Sequence, residues 1–187
     1  MNTQEIKKFE SREELVQYLR KDRNLAGADL SGLNLVGIKL AGINLQGANL
    51  HDSNLTNAKL AGLNLQGANL TNVRLDNARM AGVNLQGANL RNAHINAAKM
   101  AGVDLKESDL TGAGLSQSRL VGVDVRGADF TDATLTNARA FVNWSAAKVQ
   151  PAELPVTPPP PRWLPLLIVG LIALGLFVGL RQRAKHA

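Results

Sequence analysis

The chain has no cysteine. Disulfides, thiolate nucleophiles and cysteine-ligated metals are therefore excluded. Aromatic residues make up 4% of the chain, too few to build the stacking platforms that hold single-stranded nucleic acids. The histidines, His51, His94 and His186, are far apart and form no ligand pair. There is no GxSxG, HExxH, P-loop or GxGxxG motif. Lys7 and Lys8 are not followed by an apolar run, so no secretory leader is visible. With these elements missing, the sequence points away from an enzyme and implies no cofactor and no metal.

Charge is present but unevenly spread. The net charge is +6, which on its own suggests a nucleic-acid or membrane-surface partner. Between Lys21 and Asn143, however, there are 12 Lys or Arg against 10 Asp or Glu, so this long segment carries only +2. Most of the excess lies in the terminal segments. A length of 187 residues is enough for one domain with accessories.

The dominant feature is a repeat. From Leu25 to Ala140 every fifth residue is a candidate core position, 24 in all, and Leu holds 18 of them. The others are Met80, Ile95, Met100, Val125, Phe130 and Ala140. Two residues before each stands a small or aliphatic residue, such as Ala28, Ile43, Ala48 or Val83. Two residues after each stands Gly, Asn or Asp in 20 of 23 cases, Ala97, Glu107 and Gln117 being the exceptions.

A period of five fits neither ordinary element. On an α-helix five residues advance about 500°, so successive Leu would drift around the cylinder by about 140°. Along a strand an odd period sends alternate Leu to opposite faces. A corner in every repeat keeps them all inside, and the Gly/Asn/Asp column supplies it, because these residues tolerate positive φ. A second period closes the coil: AGINLQGANL (41–50), AGLNLQGANL (61–70) and AGVNLQGANL (81–90) recur at 20 residues, and AGVDLKESDL (101–110) and VGVDVRGADF (121–130) keep the register. Four corners per coil and 24 repeats predict an all-β solenoid of about six coils, roughly 29 Å long at about 4.8 Å per coil.

This pattern, A-(N/D)-L-x-G and its variants over residues 24–140, resembles the bacterial pentapeptide-repeat family. The resemblance implies a right-handed quadrilateral β-helix with Leu and Ala columns inside, and a role without catalysis. It also implies a comparison with members that look like duplex DNA in shape and charge and inhibit DNA gyrase. Those are strongly acidic dimers, and this chain departs from them in charge.

The flanks complete the plan. Residues 1–22 are expected to cap the first coil: Ser11 and Glu14 form a capping box opening a short helix, with Leu15, Leu19 and either Val16 or Tyr18 laid over the core. Residues 23–144 form the β-helix, with Phe141 and Trp144 placed to lid its last coil. Residues 145–162 form a linker whose six prolines make a semi-rigid spacer of up to about 50 Å. Residues 163–180, WLPLLIVGLIALGLFVGL, are uncharged and long enough, at about 27 Å, to span a bilayer core. They are read as one transmembrane helix, with Arg162 and Trp163 at one interface and the basic tail 181–187 at the other. Gly175 and Gly179 make a GxxxG motif, a dimer face for such a helix. The tail RQRAK favours a cytoplasmic C-terminus by the positive-inside rule. A repeat domain made first and without a leader favours the tail-anchored arrangement, single-pass with the repeats in the cytoplasm, and that arrangement is expected here.

Candidate functional residues are few. Asn44, Asn64 and Asn84, and Asn49, Asn69 and Asn89, are expected to stack as amide ladders. Asp104, Asp109, Asp124 and Asp129 read as a solvated acidic edge. Lys39, Lys59, Arg79, Lys99, Arg119 and Arg139 recur every 20 residues and should stack on one side as a cationic ladder. Two readings of that ladder stand side by side: a solubilising face, and a docking stripe for an acidic protein or anionic headgroups. Nucleic acid is disfavoured, because six charges without aromatics or a flanking basic patch make a poor footprint. The expected function is a non-catalytic, membrane-tethered interaction or scaffold module. The alternatives are a DNA-mimic topoisomerase inhibitor, which the charge opposes, and an anionic-lipid binder using the cationic face.

Overall fold

A residue that must be buried every five positions, with a corner after each, makes the chain coil around its own Leu column. In the computed structural model, which describes residues 7–155, it does so. Every corner residue from Gly27 to Asn137 has positive φ, between 55° and 70°. The three corners without Gly, Asn or Asp obey the same geometry: Ala97 at 55°, Glu107 at 57° and Gln117 at 61°. Left-handed backbone costs such residues about 1 kcal/mol each, so the coil imposes the conformation against local preference.

Each coil presents four sides, and each side is a parallel ladder with a 20-residue register. The first runs through Asn24, Asn44, Asn64, Asn84, Asp104 and Asp124; the second from Asp29 through Asn49 to Asp129; the third from Asn34 through Arg74 to Thr134. The fourth is a continuous sheet of β1 (Lys39–Ala41), β2 (Lys59–Ala61), β3 (Arg79–Ala81), β4 (Lys99–Ala101), β5 (Arg119–Val121) and β6 (Arg139–Phe141), paired in that order. Within the repeats, six rungs per ladder make five steps, so the solenoid has about five turns where the tally of core positions gives six coils. The difference is one of closure, since a turn is complete only where a rung meets its partner 20 residues on.

The fourth side differs because its corner differs. At the others a β-turn closes each corner, as where the Ala48 N–H donates to the Leu45 carbonyl at 3.0 Å. Residues 40–43 and their equivalents make no such bond, and the chain stays extended for three residues. This yields the one flat strand face.

Leu, Ala and Val side chains fill the interior, with Leu35, Leu50, Leu70, Leu85 and Leu105 all buried. The void among Leu40–Leu85 is about 10 Å³, the lower limit for a single water. Ser53, Ser108 and Ser118 take places in the small column, where size admits them.

Both ends are covered. At the start, α1 (Arg12–Leu19) is capped by Ser11, whose Oγ accepts from the Glu14 N–H at 3.2 Å. The reciprocal bond of the capping box comes from the Glu10 N–H to Glu14 Oε2 at 3.0 Å, one residue earlier than the motif anticipates. Leu15 is fully buried, Tyr18 and Leu19 pack against the core, and Val16 faces outward. Sequence reading missed Phe9, which is buried and edge-on to Tyr18 at 5.5 Å; Lys8 beside it pairs with Asp29 and starts the second ladder. At the other end a short 3-10 helix (Trp144–Ala146) buries Trp144 edge-on to Phe130 at 5.2 Å. Phe141 does not join this lid and remains 47% exposed, because it is an outward position of β6. Residues 145–155 continue the cap: Val149 pairs with Asp129, and Pro151 and Pro155 are buried.

All of this lies within one compact unit, Met1–Thr157. The expected transmembrane helix at 163–180, its Gly175 and Gly179, the end of the linker and the basic tail lie outside the described residues. Among the described residues no helix is long and apolar enough to cross a membrane.

Candidate docking face

The strand face carries two outward columns. One is Lys39, Lys59, Arg79, Lys99, Arg119 and Arg139, aligned rung on rung from Lys39 opposite Lys59 to Arg119 opposite Arg139. The other is Ala41, Ala61, Ala81, Ala101, Val121 and Phe141. Both are exposed, while the residue between them in each strand, such as Leu60 or Met80, points inward and is buried. At about 4.8 Å per rung, the six cations extend along about 24 Å.

None of the six lies within salt-bridge distance of a carboxylate among the described residues. The cations of the other sides contrast with them. Lys106 meets Asp104 at 2.8 Å, Arg126 meets Asp124 at 2.6 Å, Arg91 meets Asp109 at 3.1 Å and Lys148 meets Asp129 at 3.2 Å. The acidic edge is thus neutralised in place, one cation to each Asp. The Arg126 guanidinium holds the Asp124 carboxyl below the usual range, and the Thr131 hydroxyl does so first for Asp129. No group of three His, Asp or Glu among the described residues is arranged to hold a metal.

Of the 12 cations between Lys21 and Asn143, six stand on the strand face; the other six share the rest of the segment with all 10 acids. The rod is polarised about its axis, one face cationic and the remainder net acidic.

The amide ladders form as expected on the first two sides. Asn64 Nδ2 donates to Asn44 Oδ1 at 3.2 Å, Asn84 to Asn64 at 3.3 Å and Asn69 to Asn49 at 3.1 Å. Each Oδ1 also accepts the backbone N–H two residues on, as from Gln66 to Asn64 at 3.2 Å. Asn89 keeps this second bond, its Oδ1 accepting from the Arg91 N–H, but its Nδ2 makes no bond to Asn69. His51 stands alone beside Asp52 at 2.8 Å, distant in register from His94 on the third side.

A family model described as pentapeptide repeats matches residues 24–62, 58–96, 88–127 and 108–140. No curated protein matches the chain. Among solved structures, the chain is similar to HetL, a pentapeptide repeat protein involved in heterocyst differentiation regulation in the cyanobacterium Nostoc sp. strain PCC 7120. That match has 24% identity, 73% of this chain, 79% of that one and a TM-score of 0.31. A pentapeptide repeat protein from the Arabidopsis thaliana thylakoid lumen matches at 31% identity over 56% of this chain and 70% of that one, TM-score 0.33. QnrB1, a plasmid-mediated fluoroquinolone resistance protein, matches at 18% identity over 68% and 76%, TM-score 0.33.

Proposed function

Because the chain belongs to the pentapeptide repeat family, we propose that it acts without catalysis, as a membrane-tethered interaction module whose cationic strand face is the working surface. One observation carries this reading: six cations aligned in register on the flattest face, with no acidic partner among the described residues. Residues 163–180 are the tether, with Gly175 and Gly179 offering a dimer face within it. In this reading the repeats lie on the cytoplasmic side of that membrane. A DNA mimic would need acidic sides, and the strand face has the opposite sign.

The cysteine-free chain makes the test direct. A benzophenone placed on Ala61→Cys of the strand face, or on Thr71→Cys of the second side, is irradiated in native membranes. Face-specific adducts to a protein or a lipid at residue 61, and none at residue 71, are the expected result. Equal labelling at both sites sinks the docking face. The tether is tested separately: the full chain should resist alkaline carbonate extraction and the 1–157 fragment should not.

A further inference from the structure

We propose that the strand face lies flat on an anionic lipid surface, with the cationic ladder held against the headgroups. The inference rests on the reading of that face as the working surface and names what covers it.

The first argument is shape. The cations stand in one straight column on a three-residue-wide extended face, so only a flat or linear partner meets all six together. The second is what stands beside them. Ala41, Ala61, Ala81 and Ala101 are small and uncharged, and nothing along this column holds a plane away from the cations. The column ends in Val121 and Phe141, which are among the exposed large apolar residues of the protein and stand on this face. Cations beside a small apolar patch are the composition of surfaces that settle into the headgroup layer.

The third is chemical monotony. The Asn and Gln columns that could read a protein's backbone lie on other sides, and the strand face offers no such column. Evenly spaced charge without hydrogen-bonding variety suits the smeared charge of anionic lipids better than a sculpted protein surface. The tether adds a fourth: a spacer to an apolar run raises the effective concentration of the face at its own membrane.

The attraction of about 1 kcal/mol per Lys or Arg near an anionic surface corresponds to roughly fivefold in partitioning for each cation. The experiment uses the compact unit, 1–157, whose core and both caps are complete within it. It is sedimented with vesicles of phosphatidylcholine alone and with vesicles of equal parts phosphatidylcholine and phosphatidylserine. Binding to the mixed vesicles only, weakened by salt, is expected. Replacing Lys39, Lys59, Arg79 and Lys99 by Gln should weaken it several hundredfold, roughly fivefold per cation. A variant with the same net charge, Arg74→Gln, Arg91→Gln, Lys106→Gln and Arg126→Gln, should stay within a few fold of wild type. Lys59→Gln with Lys99→Gln should lose about 25-fold, a milder arm should the quadruple variant not fold. Phe141→Ser should lose about tenfold through its exposed apolar area.

Equal loss in the two charge-matched variants, or no binding to the mixed vesicles at low salt, overturns the proposal. If the vesicle arm fails while residue 61 still crosslinks an acidic protein, lipid is removed as the occupant and the docking face stands. If face-specific crosslinks are also missing, the face itself is not the working surface.

Discussion

The strand face and the second side are built by the same five-residue repeat, two corners apart, and treat their polar residues in opposite ways. A strict register stacks like on like. On the second side the stacked residues are amides, each both donor and acceptor, so stacking becomes bonding: Asn69 to Asn49, and Asn49 to Asp29 at 3.0 Å. On the strand face the stacked residues are cations, and stacking becomes repulsion. Neighbouring unit charges about 4.8 Å apart in water repel by roughly 0.9 kcal/mol before screening and side-chain splay. On the remaining sides Arg74, Arg91, Lys106 and Arg126 each stand within 4.0 Å of an Asp carboxylate. The column opposes its own fold, by a small amount per pair, on the face that has no compensating carboxylate among the described residues.

The largest effect abolishes the contrast by removing the core that both faces share. Leu85 is 2% exposed in the middle of the Leu column. Leu85→Lys buries an ammonium without a partner, which costs several kcal/mol and should unfold the rod. Circular dichroism melting would report it, and a normal melt would show that the Leu column is not the core.

Next comes the amide ladder of the first side, bonded in the same way as that of the second. Asn64 Nδ2 donates to Asn44, and its Oδ1 accepts from Asn84 and from the Gln66 N–H. Asn64→Ala removes these bonds at about 1 kcal/mol apiece, less what water restores, for a loss of about 2 kcal/mol in urea unfolding. Lys59→Ala, one side away in the same coil, should lose far less. If the two substitutions cost the same, the amide ladder is not what separates the faces.

The contrast was largely legible in advance, because register is arithmetic. Counting by five gave the Leu column, counting by 20 gave the stacking of Lys39 on Lys59 and of Asn44 on Asn64, and side-chain chemistry said which columns would bond. Less legible were contacts that break the count. Phe9 precedes the first repeat and carries no periodic signal, so its place beneath Tyr18 follows only from tertiary packing. Phe141 is aromatic and close to the end, like Trp144, yet its position two residues after Arg139 puts it on the outward column. The pairing of Arg126 with Asp124 and of Lys106 with Asp104 needs side chains to fold back within one corner, which no period reports.

A smaller effect concerns the corner that leads into the strand face. There Ala97 adopts φ 55° and Gln117 φ 61°, where most equivalent corners have Gly or Asn. Ala97→Gly relieves left-handed strain of about 1 kcal/mol and loses part of that gain to the freer unfolded chain. A net stabilisation of about 0.5 kcal/mol is expected by denaturant titration. A loss of stability would mean that the Ala97 methyl packs well enough to outweigh its backbone.

The smallest effect is the most informative about the ladder. Lys59 sits between Lys39 and Arg79 and is repelled by both. Lys59→Gln removes those repulsions while keeping a long polar side chain on the surface. Screening and splay reduce the gain to about 0.3 kcal/mol at low ionic strength, and added salt should erase it. Wild type should accordingly gain stability as salt rises, and the variant should gain less. Paired melts across a salt series resolve the difference even where a single melt does not. If Lys59→Gln instead destabilises the rod equally at every ionic strength, the aliphatic stem of Lys59 is contributing packing, and the ladder's cations do not stand against the fold that displays them.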